Sequence, residues 1–344
     1  MTQSRAYWAT APGEGEVRIE HLRPPAADEV LVRALWSGIS RGTEALVAQG
    51  RVPPSQWRTM RAPFQAGDFP FPVKYGYSST GIVEHGPGDL LGRPVFCLHP
   101  HQTRYVVPSA AVMLLAPDLP PRRAVLAANM ETALNAVWDA GAVPGQRIHV
   151  IGAGVVGALI AWLCGKLPGA EVTLADIAPA KAPLAQALGV AFAPPETLAG
   201  EADLVFHASG NPAGLRTALA VAGPEARLVE VSWYGDREAA LPLGEAFHSR
   251  RLSIVSSQVG QVAPAMRPRW PHARRLAKAL DLLRDPVLES LISDEVAFDE
   301  LPAALKYSVL SATGVSTATS AHAPEQASRD NATNRRGLDI RLPR

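Results

Sequence analysis

Arg147-Ile148-His149-Val150-Ile151-Gly152-Ala153-Gly154-Val155-Val156-Gly157, with Glu171-Val172-Thr173-Leu174-Ala175-Asp176 downstream, is the stretch that decides the fold. Its first five residues read as a short buried strand, and the glycines follow at once. An apolar helix then runs through Trp162 to about Lys166. A second strand covers 171–175, and Asp176 stands at its end. This is a G-x-G-x-x-G turn inside a strand–helix–strand unit, with an acid about 20 residues beyond the glycines. Gly152 lets the chain turn out of the strand, and Gly154 has no side chain to keep a pyrophosphate off the backbone. Gly157 lets helix and strand pack closely. The helix opens at Val155 and Val156, where N–H groups and a partial positive charge face the phosphates. Asp176 accepts hydrogen bonds from an adenosine ribose and repels a 2′-phosphate, which favours NAD over NADP. Either half of the pattern is weak alone; here strand, helix, second strand and acid stand together.

Outside this unit the composition is permissive. The chain has 344 residues, a formal net charge of +1 and 47% hydrophobic residues. That allows two domains and gives no charge signature for nucleic acid. No apolar run reaches the roughly 20 residues needed to span a bilayer. Met1 to Trp8 lacks the basic-then-apolar pattern of a signal peptide, so a cytoplasmic protein is expected. Cys97 and Cys164 cannot build a four-cysteine zinc site, and a disulfide is not expected in a reducing compartment.

The front of the chain reads as a turn-rich β domain, with strands at 16–20 and 29–35 and two short strands around a polar loop between 92 and 108. The region 50–72 is a long loop rich in Pro, Arg and aromatic residues, a kind of segment that often carries function. A helix over 122–140 leads into the glycine unit. Beyond it, strands at 202–208, 227–231 and 252–256 alternate with helices at 181–188 and 213–222, the rhythm of a doubly wound sheet. The stretch 271–284 reads as an amphipathic helix with Leu276, Leu280 and Leu283 on its apolar face.

The segment Ser37-Gly38-Ile39-Ser40-Arg41-Gly42-Thr43-Glu44 and the segment Gly76-Tyr77-Ser78-Ser79-Thr80-Gly81 resemble two motifs of the medium-chain dehydrogenase/reductase superfamily, zinc alcohol dehydrogenase type. The first is similar to Gly-Ile-Cys-Gly-Thr-Asp with one residue added, and the second to Gly-His-Glu-x-x-Gly. The Ser-Gly-Ile-Ser-x-Gly-Thr-Glu form is closer to a subgroup that includes bacteriochlorophyllide a dehydrogenase. The resemblance covers the chain to about Leu305. It implies an α/β protein: a discontinuous GroES-like β-rich catalytic domain (1–122 and 261–305) and a Rossmann domain (123–260) with a doubly wound parallel sheet. It also suggests a homodimer paired through sheet edges. The Ser/Thr/Ala/Asn-rich stretch 306–344 departs from the family and is expected to be a disordered tail, leaving the catalytic domain one strand short.

The resemblance also locates the chemistry. The family's zinc ligands fall on Ser40, on Tyr77 and near Ala128 or Asn129, none of them a good zinc donor, so zinc is not expected. A pairing of Glu131 with His99 or His101 is the less favoured metal alternative. Without metal, Thr43 matches the hydroxyl that relays the proton, and Tyr77 is a candidate general acid if its surroundings lower its pKa. Tyr77 as mere filling of the vacated cavity weighs equally. His99 and His101 lie in the loop that replaces the zinc lobe; His101 is the candidate proton carrier, against the reading of solvated loop histidines. Ser209-Gly210 and Ser232-Trp233 follow two strands and by resemblance border the nicotinamide side of the crevice. Arg58, Arg61, Arg267 and Arg269 are candidates for an anionic substrate group. The expected activity is hydride transfer between NAD(H) and an alcohol/ketone pair on a small, ring-bearing molecule. An enoyl or quinone reductase and a non-catalytic dinucleotide-binding protein are the alternatives.

Overall fold

A computed structural model describes residues 2–198, 200–310 and 318–321. The glycine unit lies at the middle of a six-stranded parallel sheet. Its strands in chain order are β10 (Arg147–Ile151), β11 (Glu171–Ala175), β12 (Ala191–Ala193), β13 (Ala202–His207), β14 (Ala222–Glu230) and β15 (Ser253–Ser256), arranged β12-β11-β10-β13-β14-β15. The order reverses at β10, so its carboxyl end opens on the crevice where such sheets bind ligands. Ile148, Val150, Leu174, Leu204, Phe206 and Leu228 are fully or almost fully buried, as strands covered on both faces require.

The rest of the strands pair antiparallel, apart from β16 with β17. β1 (Thr2–Ala11), β2 (Glu14–Leu22), β4 (Ala66–Gly67) and β5 (Val73–Lys74) form one sheet. β3 (Glu29–Ile39), β6 (Ser79–His85), β7 (Pro94–Cys97), β8 (Arg104–Pro108), β9 (Val112–Leu114), β16 (Asp294–Ala297) and β17 (Ala318–Ala321) form the other. The helices are α1 (Arg41–Ala48), α2 (Pro121–Ala124), α3 (Ala127–Ala140), α4 (Val155–Gly165), α5 (Ala182–Ala187), α6 (Pro212–Val221), α7 (His272–Leu282) and α8 (Leu301–Leu310). The expected single helix over 122–140 is two, interrupted at Val125 and Leu126.

Leu276, Ala279, Leu280, Leu283, Leu288 and Leu291 share one buried core with residues of α3, α4 and β10, and the same core takes in Phe96, Leu115 and Leu119 of the front part. The return segment thus packs against the middle of the chain as far as about Leu291. The first returning strand is β16. The expected tail lies mostly outside the described residues, but where it is described it carries structure. β17 runs parallel to β16 and antiparallel to β3, from Ala318 opposite Ile39 to Ala321 opposite Trp36. Ladder bonds are made by the backbone, so a strand between two others forms without an apolar run.

The two halves meet across the crevice. Arg51, just after α1, bonds Asp236 through Nε at 2.8 Å and a terminal guanidinium nitrogen at 2.6 Å. Gly235 takes φ of 65°, and a Cβ there would sit 2.7 Å from the Arg51 carbonyl oxygen.

Candidate active site

The glycine turn is built as its sequence requires. Gly152 takes φ of 107°, and a Cβ would lie 2.7 Å from the Ser209 nitrogen. A Cβ on Gly157 would come within 1.9 Å of the Gly152 carbonyl oxygen, so α4 can pack on the turn only as it stands. Gly154 is the N-cap of α4 and has nothing within 4 Å of its Cβ position. Its smallness serves open space, the space a pyrophosphate needs. The N-terminus of α4, at Val155 and Val156, has no side-chain cap, so its N–H groups are available to an anion.

Asp176 stands at the end of β11. It accepts hydrogen bonds from Ala153 N–H at 2.8 Å and from Ala178 N–H at 2.9 Å, which aims the carboxylate at the turn. The next residue, Ile177, is 82% exposed, an apolar face beside the position for a ribose. Burial lowers the Lys181 pKa, the Asp176 charge raises it and Arg41 lowers it, so two basic groups lie within electrostatic reach of the crevice rim.

The three positions matching zinc ligands come together. Tyr77 is hydrogen-bonded to the hydroxyls of Ser40 and Thr43. Asn129, buried on α3, donates to Ser40 Oγ at 3.2 Å. A phenol, a hydroxyl and a carboxamide bonded to one another are neutral donors already satisfied, a set that does not suit zinc. Burial, then the Glu44 carboxylate, holds the Tyr77 pKa above its ordinary value. This corrects the expectation of a lowered pKa: the phenol keeps its proton at neutral pH and acts as a hydrogen-bond donor.

The histidines are not solvated. His101 is 1% exposed, with Nδ1 2.8 Å from Ser37 Oγ and Nε2 2.7 Å from Glu44 Oε2. Glu44 is itself buried and accepts from Ser40 N–H at 2.7 Å. His101 therefore stands behind the hydroxyl cluster and is joined to it through Glu44. Gly76 permits this approach: at φ of 121°, its Cβ would lie 3.0 Å from the imidazole. His99 stacks on Tyr105 with centroids 3.8 Å apart, and burial depresses its pKa to about 3. Glu131 does not join either histidine. It is buried against Arg275, whose Nε donates to it at 3.1 Å. Among the described residues, no three His, Cys, Asp or Glu side chains are grouped to hold a metal.

Aromatic rings border the hydroxyl cluster. Phe69 and Tyr75 have centroids 5.8 Å apart, and Tyr75 and Tyr77 5.9 Å. Trp57, Phe71 and Trp233 pack on the same core. A cavity of about 480 Å³ opens beside it, lined by Trp57, Arg58, Arg61, Asp68 and Phe69. Arg61 is paired with Asp68 at 2.6 Å. Arg267 and Arg269 donate to the Val262 and Ala265 carbonyl oxygens of their own segment.

At the ends of β13 and β14, Gly210 N–H donates to Ser232 Oγ at 3.0 Å. Ser209 is exposed and Trp233 partly buried. Behind them His207 and Glu230 form a pair that the sequence reading passed over. The signal was there: an imidazole and a carboxylate directly after the apolar runs Leu204–Phe206 and Leu228–Val229.

No family model matches the chain. L-idonate 5-dehydrogenase (NAD(P)(+)) of Escherichia coli K12 is 24% identical over 189 residues, which are 52% of this chain and 51% of that enzyme. The chain thus aligns with about half the length of this curated relative. The solved structure of L-idonate 5-dehydrogenase from the same species superposes with a TM-score of 0.76 at 17% identity, covering 93% of this chain and 98% of the other. A structure described as a zinc-binding dehydrogenase from Sinorhizobium meliloti 1021, bound to NADP, gives 0.75 at 19%, covering 93% and 100%. A short chain alcohol dehydrogenase of Escherichia coli CFT073 in complex with NADH gives 0.73 at 17%, again covering 93% and 100%. These likenesses show a shared fold: a parallel sheet carrying the glycine turn, joined to a second half of mainly antiparallel β-sheets.

Proposed function

We propose that the protein is a zinc-independent, NAD(H)-dependent oxidoreductase acting on an alcohol/ketone pair of a small, ring-bearing molecule. The observation that carries this reading is the hydroxyl cluster of Ser40, Thr43 and Tyr77, set on a fold whose other half holds an open glycine turn with Asp176 at its rim. The relatives support the class, since their names record an L-idonate 5-dehydrogenase, a zinc-binding dehydrogenase bound to NADP and an alcohol dehydrogenase in complex with NADH.

The bound nicotinamide supplies or accepts the hydride. Gly152 and Gly154 keep the turn open to the pyrophosphate, and Asp176 accepts from the ribose hydroxyls. Ser209, Gly210, Ser232 and Trp233 border the nicotinamide end. Tyr77, with its proton held by burial, donates a hydrogen bond to the substrate oxygen and stabilises the alkoxide that hydride transfer creates. In the reductive direction Tyr77 gives its proton to that alkoxide and is reprotonated from solvent through Thr43; in the oxidative direction the alcohol proton leaves by the same path. Glu44 and His101 keep Ser40 in place from behind. Phe69, Tyr75 and Trp233 offer flat walls to a ring.

The test is a fluorescence titration of the purified chain with NADH and NADPH, elemental analysis for zinc, and turnover of a panel of cyclic and aromatic alcohols and ketones. Tighter binding of NADH than NADPH, zinc well below one per chain and turnover in a chelator are expected. Stoichiometric zinc required for turnover would overturn the metal-free reading.

A further inference from the structure

His207 closes β13 and Glu230 closes β14, next to the strand that carries the glycine turn. The imidazole is fully buried. Its Nδ1 lies 2.9 and 2.8 Å from the two carboxylate oxygens of Glu230, and its Nε2 lies 2.7 Å from Ser209 Oγ. Glu230 also accepts from Ser232 N–H at 2.7 Å and from the Tyr234 hydroxyl at 3.2 Å. Two glycines make room for this corner. A Cβ on Gly214 would lie 2.5 Å from Ser209 Oγ and 2.9 Å from His207 Nε2, and a Cβ on Gly152 would meet the Ser209 backbone. Ser209 is thus seated directly against the pyrophosphate turn, with its hydroxyl in the hold of a buried imidazole.

A serine, a histidine and a carboxylate in sequence have the connectivity of a hydrolytic relay. The neighbouring N–H groups argue otherwise. Gly210 N–H is bonded to Ser232 Oγ, and Asn211 N–H donates to Ser209 Oγ itself at 3.3 Å. The donors that would stabilise an oxyanion are engaged within the loop, so the chain of bonds orients the serine rather than activating it.

We infer that His207 and Glu230 are positioning residues that make Ser209 a hydrogen-bond acceptor for a donor group of the bound dinucleotide, a ribose hydroxyl or the carboxamide N–H₂. The inference rests on the cofactor reading above. Ionised Glu230 has no hydrogen to give, so the proton of the neutral ring resides on Nδ1. Nε2 then carries a lone pair, and the Ser209 O–H points at it. Ser209 turns its remaining lone pair to the crevice, where it suits a donor and disfavours a phosphate oxygen.

Two measurements on the full chain test this. In ¹⁵N-histidine NMR spectra, one imidazole, assigned by its loss in His207→Gln, should show a protonated Nδ1 and a bare, hydrogen-bonded Nε2. NADH titrations of Ser209→Ala, Glu230→Ala and the double variant should each give a dissociation constant raised about tenfold, the double no worse than the singles. That non-additivity is the mark of one shared interaction, which a purely structural role would not produce. A protonated Nε2 overturns the inference. So does Ser209→Ala binding NADH as wild type does. In those cases wild-type affinity for NADH still stands as support for the cofactor reading. If wild type binds neither NADH nor NADPH, the cofactor reading falls, and the inference with it.

Discussion

At Asp176 a single carboxylate faces the glycine turn, Lys181 lies within its electrostatic reach, and Arg41 within that of Lys181. Replacing it by Ser removes the repulsion and leaves the two cations. Asp176→Ser is therefore expected to weaken NADH and favour NADPH, moving the ratio of their dissociation constants at least tenfold, about 1.4 kcal/mol; paired fluorescence titrations read it directly. Tyr77→Phe removes one hydroxyl and little volume. It should lower kcat roughly 10²-fold while NADH affinity changes little, and steady-state kinetics with a direct binding measurement separate the two. His99 bears on stability, because burial holds its pKa at about 3 in the folded chain against about 6.5 when unfolded. The unfolded state takes up the proton first. Stability is complete above pH 6.5 and declines by about 1.4 kcal/mol per pH unit as pH falls from there toward 3. Urea midpoints should drop on going from pH 7 to pH 5, and His99→Gln should flatten that slope. Asp176 was legible because an acid at a strand end after a glycine turn has a mechanical meaning. The burial of His99 and His101 was not, since a histidine beside a proline reads as a surface loop until its neighbours are known.

Among the elements, α3 and α7 are joined by a polar bond inside an apolar contact. Arg275 of α7 reaches Glu131 and, at 2.7 Å, Asn135 of α3, and it also donates to the Val259 carbonyl oxygen. Both ions are almost fully buried. Burial raises the Glu131 pKa while Arg275 opposes the rise, so removing the arginine strands a charge. Arg275→Met is expected to cost about 3–5 kcal/mol in urea unfolding, and adding Glu131→Leu to recover much of it. The amphipathic pattern of α7 was plain in its leucines, because apolar periodicity reports the face an element buries. The arginine's inward direction was not, as charged residues normally mark the outer face. β1 escaped notice because Tyr7 and Trp8 break a clean alternation. β17 did so because Ala-Thr-Ser-Ala gives no hydrophobic signal, although its backbone is paired on both sides.

At the scale of the whole molecule, a parallel sheet and a mainly antiparallel half meet along a crevice fastened by Arg51 and Asp236. The succession of strands and helices made that architecture readable, since each connection constrains the next. Where the return segment packs was not readable, because the helices up to Leu291 meet α3 and α4 through the core and not through sequence order. One prediction belongs here. Exhaustive dialysis against a strong chelator should leave both the turnover and the melting temperature of the purified chain unchanged within error, whereas a zinc enzyme would lose the first and a zinc-stapled fold the second.

The bonds joining Ser40, Thr43, Tyr77 and Asn129 have a historical consequence. Each group there satisfies another, so a lone Ser40→Cys or Tyr77→His would break a settled contact before any metal could repay the loss. Intermediates with one or two ligands restored would be worse than either end. A change toward metal binding at this place is therefore opposed one substitution at a time, as a ratchet opposes reversal.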